Sequence, residues 1–203
     1  MQLYGMRVSG NCWKVAQILA LTGHAYDWIE TDANAGATRT PEFLALNRTG
    51  KVPVLVLDDG SVLIESNAIL LHFAEGTPWL PGPGLPRTRV HEWLFFEQYS
   101  HEPYIAVARN LITWRREAHL HAARLQDCAA RGAQALDVME SRLSAANWLA
   151  GEAPTVADLA LFAYTHRADE GGFDLARWPG VLAWVDRVAS LPGMTSLPRA
   201  PNA

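Results

Sequence analysis

The stretch TGKVPVLVLDDG, residues 49–60, decides the fold of the first part of the chain. Its apolar run is followed by Asp59-Gly60 and a second apolar run, SVLI, and Asp-Gly between two such runs is typical of a tight β-hairpin. Pro53 opens the first run, at the position in a strand where a missing N–H costs little. ESNAILLHFAE, residues 65–75, follows and predicts a helix with Ser66 as its cap. The sequence therefore predicts two antiparallel strands followed by a helix.

Upstream of this unit, strand-like and helix-like patterns alternate. Residues 2–6 and 25–31 are predicted strands, and residues 13–22 between them have apolar side chains near helical spacing. Pro41 favours the first turn of a second helix. Strands joined through a helix run parallel, whereas the strands of a hairpin run antiparallel. We therefore expect an α/β domain with the order βαβαββα and a mixed sheet.

A Pro- and Gly-rich segment, PWLPGPGLP at residues 78–86, suits neither a helix nor a strand and is predicted to be a linker. It separates an N-terminal domain, residues 1–77, from an all-α domain, residues 87–203. Within the second domain, helices are predicted at residues 87–111, 118–144, 155–169 and 179–190. Pro103 should kink or break the first of them. Thr155 and Asp158 form a capping-box-like start for the third.

Composition and charge exclude several classes of protein. Of the 203 residues, 49% are hydrophobic and 19% are charged, which is typical of a globular protein. The net charge of −4 and the lack of a Lys/Arg run argue against a nucleic-acid partner. No apolar run reaches membrane-spanning length and no signal peptide is visible, so we expect no membrane partner and a cytoplasmic location. Two cysteines fit a reducing compartment, and the seven histidines form no metal-ligand motif, so no metal is expected.

The X-Pro before the hairpin and the Glu65-Ser66 helix start resemble the glutathione transferase superfamily, and WLAGEAPTVADLAL at residues 148–161 resembles its helical core segment. The resemblance implies a thioredoxin-like N-terminal domain that binds glutathione as co-substrate. It implies that the Val52-Pro53 bond is cis and that the Val52 backbone pairs with the cysteinyl unit of the ligand. It also places the ligand's ammonium at Glu65 and its γ-glutamyl carboxylate at Ser66. Thr38 and Arg39 match loosely a position near the glycyl carboxylate.

Three residues at the start of the first predicted helix are candidates for activating the glutathione thiol: Ser9, Asn11 and Cys12. The positive end of a helix lowers a thiol pKa, and a neutral hydroxyl or amide donor stabilises only the thiolate. Ser9 resembles the first serine of the zeta-class Ser-Ser-Cys-Ser motif. Ser9 and Asn11 also match the Thr and Asn of the Nu-class Thr-Pro-Asn motif, whose enzymes act mainly on disulfides. Cys12 matches the beta-class cysteine only with two residues inserted upstream.

We rank Ser9 first and Asn11 second, as its partner and as a glutathione-binding residue. Cys12 comes third, because it could equally be a small buried hydrophobe. The resemblance further implies a second-substrate pocket between the domains, for which Tyr104, Arg109 and Trp114 are candidates, although packing or surface roles would explain each of them equally well.

The leading hypothesis for function is conjugation of glutathione to small hydrophobic electrophiles. Glutathione-dependent disulfide or peroxide reduction is the first alternative, because the Ser-x-Asn pattern is shared with disulfide-active enzymes. A non-catalytic binding protein with the same fold is the second alternative. The apolar composition, the eight tryptophans and the long helical hairpin favour a homodimer in which the first long helix packs against its mate, as in the family.

Overall fold

Four short strands form one mixed sheet in the N-terminal part of the chain. The structure, a computed structural model, describes residues 1–200. The strands are β1 (Gln2–Gly5), β2 (Asp27–Glu30), β3 (Val54–Val56) and β4 (Val62–Ile64), in the spatial order β2-β1-β3-β4. β1 pairs parallel with β2 and antiparallel with β3, and β3 pairs antiparallel with β4. The predicted mixed sheet and hairpin are confirmed.

Helices complete the predicted order βαβαββα and then form the whole of the second part. In the N-terminal part they are α1 (Gly10–Leu21), α2 (Pro41–Leu46) and α3 (Ser66–Ala74). In the second part they are α4 (Leu85–Phe96), α5 (Glu102–Arg109), α6 (Ala122–Leu143), α7 (Val156–Thr165) and α8 (Pro179–Ala189). The fold class predicted from the sequence is confirmed.

Helix α1 begins earlier than predicted, at Gly10 rather than at Trp13. The reason is its cap, because Ser9 has extended backbone angles and its hydroxyl oxygen accepts a hydrogen bond from the backbone N–H of Cys12 at 3.4 Å. Apolar spacing does not reveal this first turn, since glycine and asparagine are weak helix formers. Asn11 and Cys12 consequently lie inside the first turn of α1.

The long helix predicted at residues 87–111 is interrupted. α4 ends at Phe96, a π-helical turn follows at Glu97–His101, and α5 carries Pro103 in its first turn. Proline donates no N–H and its ring clashes with the preceding turn, so the expected break is confirmed in the form of a widened turn. A second π-helical turn, Asn110–Trp114, follows α5.

Two other helices are shorter than predicted because 3₁₀ turns take up their ends. Residues Ala118–Leu120 form such a turn before α6, which begins at Ala122. α7 ends at Thr165, and residues Ala168–Gly171 form a separate turn after it. Helix ends are where sequence patterns are least informative, because terminal turns often tighten.

The capping box predicted at the start of α7 is confirmed. The Asp158 carboxylate accepts the backbone N–H of Thr155 at 2.9 Å, and the Thr155 hydroxyl accepts a helix N–H in return. Asp158 is fully buried and also accepts the indole N–H of Trp184 at 2.9 Å. Burial raises the pKa of Asp158, and these donors oppose the shift. The box therefore anchors α7 in the core.

The two parts of the chain share their core and a buried ion pair. Trp13 of α1 packs within the hydrophobic cluster formed mainly by the helical part. Lys14 Nζ lies 2.7 Å from Glu97 Oε1, and both side chains are fully buried. Burial would raise the pKa of Glu97, but the Lys14 ammonium outweighs that effect and lowers it. α1 is therefore fixed against the helical part.

Residues 75–84, between α3 and α4, form turns and irregular structure. The exact domain boundaries at residues 77 and 87 stay a prediction. Among residues 1–200, no helix is both long enough and apolar enough to cross a membrane.

Two buried histidines predict that mild acid destabilises the protein. Burial lowers the pKa of His101 to about 4 and that of His166 to about 4. In the unfolded chain each of these histidines binds a proton as the pH falls through about 6.5, whereas in the folded protein it stays neutral until about pH 4. The free energy of unfolding that is present above pH 6.5 is therefore lost as the pH falls towards 4. At pH 5, each histidine should lower the free energy of unfolding by on the order of 2 kcal/mol, measured by urea denaturation at pH 7 and pH 5.

Substitution separates these histidines from other titrating groups. His101→Gln should reduce the stability difference between the two pH values by roughly half. His119→Gln, at an exposed position, should leave that difference unchanged. The same pH dependence in the wild type and in His101→Gln would contradict the assignment.

Candidate active site

A cavity of about 250 Å³ opens where the N-terminus of α1, the loop before β3 and helix α5 meet. Four of the predicted site residues line it: Ser9, Val52, Arg109 and Trp114. Further polar groups come from Asn34, Glu102, Asn110 and Tyr164. Within residues 1–200, no group of three or more His, Cys, Asp or Glu side chains is placed to hold a metal ion. This concave site, built from both parts of the chain, is the candidate active site.

Ser9 lies at the wall of the cavity as the cap of α1. Its oxygen accepts the Cys12 N–H, so its own proton is left for another acceptor. The first turn of α1 also contributes backbone N–H groups and the positive end of the helix dipole. A thiolate next to Ser9 would therefore be stabilised by the dipole and by one hydroxyl donor.

Asn11 connects α1 to three other helices, α3, α5 and α7, beside the cavity. Its amide nitrogen donates to Glu102 Oε1 at 3.3 Å, and its amide oxygen accepts from Ser66 Oγ at 3.2 Å. Its backbone N–H donates to the Tyr164 hydroxyl at 3.3 Å. Both ends of the side-chain amide are thus engaged by protein groups, so Asn11 holds the site together while Ser9 faces the cavity.

Cys12 lies behind the cavity rather than in it. Its side chain is fully buried against β1, where a Cβ on Gly5 would lie 3.0 Å from the Cys12 sulfur. Burial raises the pKa of the Cys12 thiol to about 11, although a hydrogen bond with Ser9 opposes the shift. An enclosed, protonated thiol is a poor nucleophile. The structure therefore argues against the catalytic role that the sequence left open for Cys12 and favours a small buried hydrophobe.

The loop before β3 presents Val52 to the cavity. The Val52-Pro53 peptide bond is cis, as the resemblance implied, and Pro53 itself is buried. Asn47 holds the loop, because its amide nitrogen donates to the Lys51 carbonyl at 2.9 Å and its amide oxygen accepts the Thr49 N–H at 3.0 Å. The Val52 residue is thereby held at the same cavity wall as Ser9.

The start of α3 has an unusual backbone. Glu65 precedes the helix with φ 67° and ψ 109°, and residues other than glycine rarely adopt positive φ. Ser66 is the first helical residue, and its hydroxyl donates to Asn11 instead of capping the helix. The prediction of Ser66 as the cap is therefore wrong, because Glu65 occupies the cap position. The first N–H groups of α3 remain suited to an anion.

Thr38 and Arg39 do not line the cavity. Thr38 is 1% exposed within the 3₁₀ turn Ala37–Arg39, so its side chain is turned away from the surface. Its place near the glycyl carboxylate stays a prediction. Arg39 is exposed and lies over the loop that presents Val52, with Nη1 3.5 Å from the Thr49 carbonyl. Gly50 has φ 62°, and any Cβ there would collide with the Arg39 guanidinium.

Trp114 and Arg109 line the cavity, and their assignment to a second-substrate pocket stays a prediction. The indole nitrogen of Trp114 is buried without a hydrogen-bond partner among residues 1–200. Arg109 is buried, and its guanidinium pairs with Glu170 at 2.7 Å and donates to the Val8 carbonyl at 2.9 Å. Its charge is therefore already compensated, so Arg109 supports the wall and offers no free cation.

Tyr104 lies in a different groove, under the guanidinium groups of Arg124 and Arg131. Its predicted place in the same pocket is wrong for a geometric reason. Two residues along an α-helix turn by about 200°, so Tyr104 points away from the face of α5 that carries Glu102. The face that reaches the cavity carries Glu102, Ala106 and Arg109.

Four polar residues of the cavity were not predicted from the sequence, namely Asn34, Glu102, Asn110 and Tyr164, and two of them contact Asn11. Tyr164 of α7 is buried with its hydroxyl at the start of α1, and it lies within an apolar run that reads as plain core. Glu102 of α5 faces Asn11, and burial raises the pKa of its carboxyl while the Lys14 charge opposes that shift. Glu102 directly precedes Pro103, and the helix break predicted at this proline is the feature of the sequence that marks the position.

Comparison with known proteins agrees with this architecture. The family model of the glutathione S-transferase N-terminal domain matches residues 3–81, and the C-terminal domain model matches residues 122–187. Glutathione S-transferase 3 of Zea mays is 33% identical over 202 residues, covering 95% of this chain and 90% of the relative.

Solved structures are similar over nearly the whole chain. A glutathione S-transferase crystal structure from Xanthobacter autotrophicus has 72% identity and a TM-score of 0.95, covering 97% of this chain and 96% of the other. Ure2p in complex with glutathione has 27% identity and a TM-score of 0.83, covering 95% of this chain and 90% of the other.

The fold and the cavity define a protein with a thioredoxin-like N-terminal domain and a helical C-terminal domain, with the cavity lined by both. The chain belongs to the glutathione S-transferase family.

Burial of Cys12 predicts that its thiol takes no part in turnover. Cys12→Ala should keep conjugating activity within about twofold of the wild type and should lower stability by only about 1 kcal/mol, since a small buried group is removed. Native wild-type protein incubated with glutathione disulfide should show no adduct of about 305 Da by mass spectrometry, because the buried thiol is neither ionised nor accessible.

The same incubation in urea provides the positive control. Unfolding exposes Cys12 and Cys128, so adducts should then form. An adduct on the native protein, or loss of turnover in Cys12→Ala, would restore a catalytic role for this residue.

Proposed function

We propose that the protein is a glutathione transferase that activates the glutathione thiol at Ser9 and transfers the sulfur to small hydrophobic electrophiles. The observation that carries the proposal is the position of Ser9, which caps α1 in the same cavity as Val52. The thiol loses its proton to solvent, and the thiolate forms a new bond to an electrophilic carbon. A leaving group such as chloride then departs with the electron pair of the broken bond.

Groups in and around the cavity suit the parts of glutathione, although of these only Val52 lines the cavity itself, and Glu65 lines the groove between α3 and α4. The Val52 backbone would pair with the cysteinyl unit as an added strand does. The first N–H groups of α3 around Ser66 would hold the γ-glutamyl carboxylate, and Glu65 beside them would pair with the ammonium. Arg39 lies near the loop that carries Val52. It would affect binding of the glycyl end of glutathione indirectly, by holding that loop in position. The bound glutathione in Ure2p supports this ligand class.

The remaining wall of the cavity suits a second substrate that is small and mostly apolar. Met6, Val8, Ala106 and Val107 contribute apolar surface. Trp114 has a buried indole N–H without a hydrogen-bond partner among residues 1–200, so an acceptor such as a nitro or carbonyl oxygen that reaches it would be favoured there. Arg109 offers no free charge, so an anionic electrophile is not favoured.

Reduction of disulfides or peroxides is the second candidate, because Ser9 and Asn11 form a Ser-x-Asn pattern at the start of one helix. Conjugation is preferred since the Asn11 amide is already bound by Glu102 and Ser66, which leaves it poorly placed to orient a second glutathione. A chlorinated nitrobenzene, hydroxyethyl disulfide and cumene hydroperoxide, each with glutathione, separate the activities. Binding of glutathione without turnover of any of the three would indicate a non-catalytic binding protein.

Ser9→Ala tests the proposed activation directly. Loss of the hydroxyl donor should raise the pKa of the bound glutathione thiol by about one to two units, which corresponds to roughly 1.4–3 kcal/mol of thiolate stabilisation. Conjugation at pH 7 should fall at least about tenfold, because the thiolate fraction falls. Thiolate absorbance is titrated against pH, and calorimetry measures the dissociation constant of glutathione, which should stay nearly unchanged.

Ser9→Thr is the matched control, because threonine keeps both the hydroxyl donor and the capping oxygen. It should retain a low thiol pKa and most of the activity. A Ser9→Ala protein whose thiol titrates as in the wild type would refute the role of Ser9, and a wild type that binds no glutathione would refute the proposed function.

We also propose that the protein is a homodimer joined through α3 and α4. A groove of about 390 Å³ between these helices is lined largely by apolar groups, among them Ala68, Leu71, Leu94 and Phe95. Phe95 is 75% exposed, and Tyr99, which lies one turn further along the chain and lines the groove that holds Tyr104, is 84% exposed. Large aromatic groups next to an apolar groove are typical of an interface between subunits.

Phe95→Glu should convert the dimer to a monomer, because a carboxylate would be buried at the interface. Light scattering coupled to gel filtration at micromolar concentration measures the mass of wild type and variant. Leu120 is 67% exposed and does not line the groove, so Leu120→Glu should leave the mass unchanged. A wild type that is monomeric under these conditions would contradict the proposal.

A further inference from the structure

Helix α7 of the helical domain places a phenol at the N-terminus of α1. Tyr164 is 7% exposed, and it lines the same cavity as Ser9 and Val52. Its helix is held at the other end by the buried capping box of Thr155 and Asp158. The hydroxyl is therefore a fixed group of the cavity wall, supplied by the domain that is not expected to bind glutathione.

Gly10 shows how closely the Tyr164 ring approaches α1. A Cβ at Gly10 would lie 2.6 Å from the Tyr164 Cζ atom, a distance that real Cβ atoms do not tolerate. Gly10 is the first residue of α1, directly after Ser9. Glycine is therefore required at this position so that the phenol ring can pack against the first turn of α1, next to Ser9 in the chain.

The hydrogen bonds of the Tyr164 hydroxyl leave its proton available. Its oxygen accepts the backbone N–H of Asn11 at 3.3 Å, so this interaction does not use the phenol proton. Burial raises the pKa of Tyr164, and the negative charge of Glu102 adds to the shift. The phenol is therefore protonated throughout the working pH range, and its ring lies against Gly10, the residue next to Ser9.

We propose that Tyr164 is a positioning residue for Ser9, whose hydroxyl oxygen accepts the phenol proton so that the serine's own proton is directed at the glutathione sulfur. This rests on the proposed activation of the thiol by Ser9. Ser9 Oγ accepts a long hydrogen bond, 3.4 Å, from the Cys12 N–H and has a second lone pair that can accept from the phenol. A hydroxyl that accepts one hydrogen bond donates a stronger one, so the chain from Tyr164 through Ser9 would stabilise the thiolate more than Ser9 alone.

Tyr164→Phe removes the phenol proton and keeps the ring against Gly10. The pKa of the bound glutathione thiol should rise by about half a unit to one unit, less than in Ser9→Ala, because Ser9 still donates but without a fixed direction. In a Ser9→Ala background, Tyr164→Phe should cause no further rise, since the phenol acts through Ser9. If Tyr164 had only a structural role, Tyr164→Phe would lower activity in both the wild-type and the Ser9→Ala background, whether or not Ser9 is present.

Tyr104→Phe is the matched control, because Tyr104 is on the same domain but in a separate groove. It should leave the thiol titration unchanged. If Tyr164→Phe proves unstable in thermal denaturation, 3-fluorotyrosine placed at position 164 by nonsense suppression keeps the ring, the hydroxyl and the Asn11 contact. The fluorinated phenol is more acidic and a stronger donor, so the thiol pKa should then fall.

The outcomes separate this proposal from the proposed function. An effect of Ser9→Ala with an unchanged titration in Tyr164→Phe would overturn the role of Tyr164 while leaving Ser9 in place. An equal rise from Tyr164→Phe in both backgrounds would also overturn it, because the phenol would then act independently of Ser9. A wild type whose bound thiol titrates like free glutathione would instead overturn the proposed function itself.

Discussion

The geometry of the site depends on the buried ion pair between Lys14 of α1 and Glu97 of the π-helical turn. Both side chains are fully buried, and Asn67 of α3 also donates to the Glu97 carboxylate at 3.0 Å. Removing one partner would leave an uncompensated buried charge, which costs about 3–5 kcal/mol. The pair therefore holds α1, α3 and the start of α5 in one arrangement. That arrangement fixes the capped end of α1, with Ser9, at the cavity.

Local signals in the sequence were sufficient for most of the fold. The Asp59-Gly60 turn and the Thr155–Asp158 capping box are each decided by residues within a few positions of one another. The start of α1 was misplaced because Gly10 and Asn11 are weak helix formers, and the Ser9 cap outweighs their propensity. The π-helical turn before Pro103 was predictable only as a break, because its hydrogen bonding depends on how the proline is accommodated.

The candidate site was predictable only where its residues lie in short motifs. Ser9 and Val52 were identified through their neighbours in the chain, and the structure brings them to one cavity. Tyr164 is 153 residues from Asn11 in the sequence, and an aromatic residue in an apolar helix gives no sign of a polar partner. Conversely, the sequence predicts Tyr104 in the second pocket, but its phase on α5 turns it away from the cavity. Tertiary packing decides both cases.

The charges around the cavity limit how a thiolate can be stabilised there. The Arg109 charge is compensated by Glu170, and Glu102 is an acid whose pKa is raised by burial. A helix N-terminus contributes about 0.3–1 kcal/mol, whereas a hydrogen bond to a charged group contributes about 1.5–3 kcal/mol. Since one pKa unit corresponds to about 1.4 kcal/mol, the dipole alone would lower a thiol pKa of about 8.5 by less than one unit, and the thiol would stay mostly protonated at pH 7. In the proposed site the neutral donor is therefore the larger effect, and under the proposed role of Tyr164 the helical domain would contribute by orienting that donor.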